Sequence, residues 1–491
     1  MFAKPREPPP TMAGITPVDR WDPVHASVAY WTWFSRVSEI WWTRSAGRAA
    51  IDAASRSRFD ALVQFARARS PFYRDAYEGL PARRLAPAEL PVATKAALMA
   101  RFDDWVTVPE VTLAAVESFL ADRKQIGERL LGRFVIWKSS GSTGEPGIYV
   151  QDSDSLSTFD ALMAAHLDPM RFAAQCSWPL FVHGGRAALV AATGDHFASI
   201  ASWKRLCQSS PWMAARGFSI MDPLPRLVAA LNAYRPVFLA SYPTMLALLA
   251  EERKAGRLKI DPVSLWSGGE CLAPGTRAEI EGAFGCRVVN EYGASECMSI
   301  AFGCREGWLH VNADWVLLEP VDDDYRPTPA GEPSRTVLLT NLANRVQPII
   351  RYDLGDSVVV KPEPCACGSP LPAIQVEGRH DDVVAMAAPD GHLVRLLPLA
   401  LTTIVEEAGR VHRFQIVQTA ADQLMLRLDR GDPGDRQATW RAAAGALRRY
   451  LTQQSLPNVR VGLDERSPVA DRRSGKLREV VVHKKAQPML P

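Results

Sequence analysis

The stretch that most constrains this chain is Lys138-Ser-Ser-Gly-Ser-Thr-Gly-Glu-Pro-Gly147, with three glycines and four hydroxyl residues in ten positions. An apolar run, Arg133-Phe-Val-Ile-Trp137, precedes it, and Gly147-Ile-Tyr-Val150 follows. Strand, glycine turn, strand predicts a hairpin-like cradle whose backbone N–H groups and hydroxyls can wrap a polyphosphate. A Walker A loop needs Gly-Lys-Ser/Thr opening a helix, so the pattern argues against a P-loop kinase or motor ATPase. Taken alone, the loop is equally readable as a flexible surface turn.

At 491 residues the chain is too long for one ordinary core, so two or more domains are expected. A net charge of +3 is too small to argue for nucleic acid or an anionic membrane surface. The opening Met1-Phe-Ala-Lys-Pro-Arg lacks the apolar core of a signal peptide, and no run reaches ~18 apolar residues. A cytoplasmic setting is therefore expected, with the eight cysteines as thiols or metal ligands rather than disulfides.

Residues 1 to about 20 read as a Pro-rich arm. The aromatic cluster Tyr30-Trp-Thr-Trp-Phe34 and Trp41-Trp42 is expected to pack against the main domain, a membrane surface being the alternative. Phe59, Leu62, Val63 and Ala66 follow helical spacing, with Pro71 as the stop. Further helices are expected near 87–103 and 110–121. From 222 to 292 helices and short apolar runs alternate, which predicts a βαβαβ order with parallel strands. Ligands then bind beyond the carboxyl ends of the strands, where Ser267-Gly-Gly-Glu270 and Asn290-Glu-Tyr-Gly-Ala-Ser-Glu296 fall. Residues 309–361 read as all-β. Beyond about Glu377–Asp382 a smaller α+β unit is expected: a hairpin (414–417, 424–428), a helix over 435–454 and strands at 459–461 and 476–482.

Five segments stand in order: Ser139-Ser-Gly-Ser-Thr-Gly-Glu-Pro146, Asn290–Glu296, Arg351-Tyr-Asp-Leu-Gly-Asp356, Gly378-Arg-His-Asp-Asp382 and Ser474-Gly-Lys476. Together they resemble the adenylate-forming (acyl-activating, AMP-binding) superfamily over about 55–485. Within it the chain looks like the phenylacetate–CoA ligase family, whose N-terminal signature Phe65-Ala-Arg-Ala-Arg-Ser-Pro-Phe-Tyr-Arg74 resembles. The resemblance implies an α/β fold in three parts: an N-terminal arm with an aromatic helical segment (1–54), a large adenylation core (55–378), and a small mobile α+β lid (379–491).

It also implies roles for residues. Ser139, Ser140, Gly141, Ser142, Thr143 and Gly144 would hold the β- and γ-phosphates of ATP. Ser295 would contact the α-phosphate and Glu296 would hold Mg²⁺. Tyr292 would lie against the adenine, in a pocket with Gly268, Gly269, Glu270, Asn290, Glu291 and Gly293. Asp356 would accept the ribose hydroxyls and Arg379 would touch ribose or phosphate. Lys476 would bridge the substrate carboxylate and the α-phosphate, and Asp381 would be the hinge. A single Asp or Arg is otherwise a surface ion pair, and the basic run around Lys476 is otherwise a solvated face. One departure stands out. Glu145 occupies the family's loop-lysine position, and Lys138 is the nearby cation that could compensate.

Cys304 and His310, with the knuckle-like turn Cys365-Ala-Cys367, make a Cys₃His set of the kind that holds structural Zn²⁺, and some members of the family carry zinc ligands there. A CxC turn without metal is the alternative. Cys176, Cys207, Cys271, Cys286 and Cys297 read as buried small apolar residues. Trp178, His183, Tyr242, Pro243 and Ala294 are candidate walls for an acyl pocket, and aromatic walls suit an aromatic acid.

The implied activity is ATP-dependent acid activation followed by transfer to CoA. Two other readings stay open: an adenylation enzyme that loads a carrier protein or an amine, and an idle nucleotide-binding protein.

Overall fold

The computed structural model describes residues 23–81, 83–139, 146–166, 185–193, 195–209, 214–377, 384–411, 413–429, 433–469 and 478–483. Among them the largest sheet has nine strands. Five run parallel, in the order Ala215–Ser219, Ala187–Ala191, Phe238–Ser241, Ser264–Ser267, Val288–Ala294. The remaining four continue antiparallel through Cys297–Gly303, Leu309–Val311, Ala373–Glu377 and Ser357–Val360. The Val288–Ala294 strand is therefore where the sheet changes from parallel to antiparallel.

The alternation read from 222 to 292 forms as expected. Leu227, Val228 and Leu231 recur on one face of the Leu224–Tyr234 helix and are buried. Pro243 opens the Pro243–Lys254 helix at a position where its missing N–H costs nothing. The Pro274–Phe284 helix ends on Gly285 at φ 70°, a left-handed conformation that glycine adopts without penalty. The expected loop hairpin is also present: Phe134–Lys138 pairs antiparallel with Ile148–Gln151, Lys138 opposite Ile148.

Several expectations need correction. Asn290–Ala294, expected beyond the end of a strand, continues it instead: Asn290 still stands opposite Ser267, and Glu291, Tyr292 and Ala294 pair antiparallel with Phe302, Ala301 and Cys297. Pro71 does not simply stop a helix. Arg48–Arg69 ends at Ser70, whose hydroxyl accepts from the Tyr73 N–H, and Pro71 starts a new short helix. The helix expected near 87–103 is broken into Lys95–Ala100 and Phe102–Trp105.

The aromatic cluster differs most. It lies on the Pro23–Ser45 helix, where Trp31, Phe34, Trp41 and Trp42 are exposed (64%, 47%, 52% and 67%). At 100° per residue these four share one face. Trp33, Val37 and Ile40 occupy the opposite face and supply the packing. A helix on a surface has one inner face, and that face was already filled.

Beyond the large sheet, Val316–Val321, Thr336–Asn341 and Ile349–Asp353 form an antiparallel sheet. The C-terminal residues form a four-stranded sheet, Arg460–Asp464, Gln423–Leu428, Phe414–Ala420, Val480–Val482, beside the Pro398–Gly409 and Pro433–Gln453 helices. A hairpin, Val384–Ala387 with Leu393–Leu396, was not legible in the sequence. One buried apolar cluster extends from Leu227, Leu249 and Ile280 to Leu401, Ile416 and Leu447. No helix among the described residues is long and apolar enough to cross a membrane.

Candidate active site

The site is built around the strand where the sheet changes direction. Ala294 pairs with Cys297, so Ser295 and Glu296 are the two residues of a hairpin turn between antiparallel strands. Gly293 is required there: a Cβ would lie 2.0 Å from the Met298 carbonyl oxygen. The Trp137 indole donates to the Ser295 carbonyl at 2.8 Å and fixes the turn against the strand that leads into the glycine loop. The Asn341 amide donates to the Glu296 carbonyl at 3.1 Å.

Alternation along the strand separates its polar residues. Glu291 points to one side, where the Trp266 indole (2.8 Å) and the Ser299 hydroxyl (3.2 Å) donate to its carboxylate. Tyr292 points to the other, where its hydroxyl donates to Asp356 at 2.8 Å. Asp356 follows Gly355 at φ 75°, whose N–H is held by Thr336 and Asp353. Two segments 64 residues apart thus meet at one contact. Burial, followed by the Asp356 charge, holds the Tyr292 phenol well above its ordinary range, so it stays a donor.

Glu296 is buried and carries two further phenols. The Tyr149 hydroxyl donates to its Oε1 at 2.5 Å and the Tyr352 hydroxyl to the same oxygen at 2.8 Å. Neither tyrosine was singled out from the sequence. Tyr149 reads there only as a strand residue after the loop, and Tyr352 as an unremarked member of the Arg351–Asp356 segment.

The first turn of the Pro243–Lys254 helix meets Glu270, whose carboxylate accepts from the Thr244 N–H (3.1 Å) and hydroxyl (2.8 Å). Negative charge at a helix N-terminus is favourable. Gly269, at φ 80°, lies under the Tyr242 ring, where a Cβ would come within 3.1 Å of the ring carbons. Gly268 packs on the Glu291 carbonyl. Tyr242 thus packs on Gly269, and Gly268 on Glu291, the residue before Tyr292.

At the glycine loop, Ser139 closes the neck. Its N–H donates to the Gly147 carbonyl at 2.9 Å, and its Oγ accepts from the Gly147 N–H at 2.8 Å. Lys138 is ion-paired to Asp195 at 2.5 Å, so the cation offered as a replacement for the missing loop lysine already has an anionic partner. Ser140, Gly141, Ser142, Thr143, Gly144, Glu145, Trp178, His183, Arg379, Asp381 and Lys476 lie outside the described residues.

A second group comes together as the sequence suggested. The ligand atoms of Cys304, His310, Cys365 and Cys367 all lie within 4.8 Å of one another. Cys304 Sγ is 3.8 Å from Cys365 Sγ, and Cys367 Sγ is 3.1 Å from His310 Nε2. Each cysteine segment is a tight turn, with Gly307 N–H on the Cys304 carbonyl and Gly368 N–H on the Cys365 carbonyl. His310 Nδ1–H donates to the Leu371 carbonyl at 3.0 Å, which turns Nε2 toward the thiols. This group can hold a metal ion. Of the other cysteines, Cys297 is buried as expected, whereas Cys207, Cys271 and Cys286 are half-buried, and Cys176 is outside the described residues.

Burial pushes the Glu291 carboxyl up to about 7, against the opposing effect of its Trp266 and Ser299 donors. A carboxyl raised in the folded state binds protons more tightly there than in the unfolded chain. Its stabilising contribution is complete below about pH 4.5 and is lost as pH rises toward 7. Glu291→Gln is expected to gain ~1–2 kcal/mol over wild type at pH 8 and nothing at pH 4.5. Urea melts at the two pH values check this, and an equal gain at both would refute it.

No protein-family model matches the chain. Protein CapK of Staphylococcus aureus is 26% identical over 147 residues, covering 29% of this chain. The match spans only 30% of that protein's length. Among solved structures, 2-hydroxyisobutyryl-CoA ligase in complex with 2-HIB-AMP and CoA in the thioesterification state superposes with a TM-score of 0.54 at 22% identity, over 88% of this chain and 90% of that one. An open conformation of the same ligase gives 0.51 at 21%, over 87% and 91%. The chain has the mixed α/β fold of this acyl-CoA ligase.

Proposed function

We propose that the protein is an adenylate-forming enzyme of the phenylacetate–CoA ligase type. It would activate a carboxylic acid, aromatic by preference, with ATP and pass the acyl group to CoA. One observation carries the reading: Tyr292, Asp356 and the Ser295–Glu296 turn converge at the carboxyl end of one strand, in a chain with an acyl-CoA ligase fold. The ligase of that fold was solved with 2-HIB-AMP and CoA, the kind of intermediate and acceptor the reading requires.

The chemistry explains the residue types. A carboxylate is a poor electrophile because oxide would have to leave. Attack on the α-phosphate makes AMP the leaving group and releases pyrophosphate. In this reading Tyr292 packs on the adenine and Asp356 exchanges its tyrosine partner for ribose hydroxyls. Ser295, whose hydroxyl no described residue bonds, reaches the α-phosphate. The loop 139–144, Arg379 and Lys476 complete the anion contacts, and Asp381 is the hinge between the 55–378 and 379–491 units.

Glu296 fits a magnesium ligand. It is a hard oxygen donor, buried, with Oε1 occupied and no described residue on Oε2. Mg²⁺ would neutralise phosphate charge there. The Cys₃His group fits zinc. Zn–S bonds of ~2.3 Å at tetrahedral angles put two thiolates ~3.8 Å apart, the separation seen for Cys304 and Cys365. Four protein ligands leave no open position, so the role is structural.

An ATP–pyrophosphate exchange screen over aliphatic, arylacetic and benzoic acids tests the reading. We expect exchange with an aromatic acid, and CoA-dependent thioester formation from the same acid. Exchange with no acid would refute adenylation. Exchange followed by transfer only to a carrier protein or an amine would refute the CoA assignment.

A further inference from the structure

We propose that Tyr149 and Tyr352 are positioning residues that hold one oxygen of Glu296 and leave the other as the single point of attachment for a divalent cation. The proposal rests on the adenylation reading above.

The geometry is specific. Both phenols donate to Oε1, at 2.5 and 2.8 Å, and their oxygens are 3.3 Å apart. Oε2 receives no hydrogen bond from any described residue. A carboxylate without such partners can rotate, chelate through both oxygens or turn toward water. With Oε1 doubly occupied, rotation would break two hydrogen bonds, and only Oε2 is presented. Mg²⁺ demands near-octahedral geometry at short distance, which favours a fixed single oxygen over a flexible chelate. Hydrogen-bond partners of a ligating carboxylate typically change metal affinity 10–100-fold.

The clamp is itself rigid. Tyr149 is 1% exposed and stands edge-on to Trp105, centroids 6.5 Å apart. The Trp105 indole is anchored on the Pro348 carbonyl at 2.6 Å. Tyr352 comes from the Ile349–Asp353 strand, so the two phenols arrive from different sheets.

Gly147 connects this clamp to the phosphate loop. A Cβ on Gly147 would lie 2.4 Å from the Tyr149 hydroxyl oxygen. The same Gly147 is held to Ser139 through its N–H and its carbonyl. The glycine at the loop's exit therefore leaves the space through which the phenol reaches Glu296. The neck of the loop and the phenol that holds the carboxylate meet at one glycine.

The test is Mn²⁺ binding, read by electron paramagnetic resonance, to the full-length protein with α,β-methylene-ATP. Wild type is compared with Glu296→Gln, Tyr149→Phe, Tyr352→Phe and Gly147→Ala. Phenylalanine keeps the ring packing and removes only the donor. Glu296→Gln should lose the nucleotide-dependent Mn²⁺ signal. Each Tyr→Phe variant should weaken Mn²⁺ by about tenfold, with ATP KM at saturating Mg²⁺ changed less than about twofold and an unaltered circular dichroism spectrum. Gly147→Ala, by displacing the phenol, should match Tyr149→Phe. Wild-type Mn²⁺ affinity in both Tyr→Phe variants, with loss in Glu296→Gln, would overturn the clamp and leave adenylation standing. Absence of nucleotide-dependent Mn²⁺ binding in wild type would overturn both. The two tyrosine variants are independent, so if one misfolds the other decides.

Discussion

Replacing Lys476 with alanine is expected to lower acid-dependent ATP–pyrophosphate exchange about 10²–10³-fold while leaving the fold intact. The magnitude is that of removing one preorganised charge from the place where charge develops in a transition state. The lysine would bridge the attacking carboxylate and the α-phosphate, two anions that otherwise repel one another. The fold should survive because the flanking backbone is anchored independently. The Gln415 side-chain amide donates to the Arg478 carbonyl at 2.8 Å and to the Val469 carbonyl at 3.4 Å, on either side of the 470–477 segment. Gln415 is held in turn by Arg427 at 2.6 Å, and Arg427 by Asp464 at 2.8 Å. The Val480–Val482 strand pairs with Phe414–Ala420 just beyond. None of these contacts uses Lys476. Exchange near the wild-type rate in Lys476→Ala would reject the role outright.

The second large effect concerns the Cys/His group. Protein prepared without chelator should contain one zinc per chain. Its removal, or Cys365→Ser, should cost more than ~4 kcal/mol, the range in which loss of a structural metal falls. The reason lies in what the four residues join. Cys304 follows the Cys297–Gly303 strand, His310 lies within Leu309–Val311, and Cys365 and Cys367 precede Ala373–Glu377. Three neighbouring strands of the large sheet are thereby tied at one point. Without a cation, only weak thiol contacts, Cys304 with Cys365 and Cys367 with His310, would hold the group together. Hydrogen exchange should rise over 297–311 and 365–377 first. Activity should follow, because the Cys297–Gly303 strand begins one residue after Glu296. Zinc-free protein of unchanged stability would reject the assignment.

Much of this molecule is legible without coordinates. The parallel strands over 238–294 follow from apolar runs separated by amphipathic helices. The Cys₃His group is suggested by ligand chemistry together with the family resemblance, against a metal-free CxC turn, and the fold does bring its four ligand atoms together. Where the reading failed, the competing effect can be named. The aromatic helix carries more large side chains than one inner face can bury, and composition does not say which residues lose. Asn290–Ala294 looks polar enough to lie past the strand end, yet antiparallel pairing with Cys297–Phe302 carries the strand on beyond the reach of its parallel neighbour.

The sequence by itself determined the local periods, the glycine loop between two strands, and the residue types for anion and metal binding, because these depend on neighbours a few positions apart. Only the tertiary structure decided which groups meet. Tyr149 and Tyr352, 203 residues apart, converge on one oxygen of Glu296. Lys138 is paired with Asp195, and Tyr292 with Asp356. A side chain's partner is set by how sheets stack and strands register, and that information is spread over the whole chain.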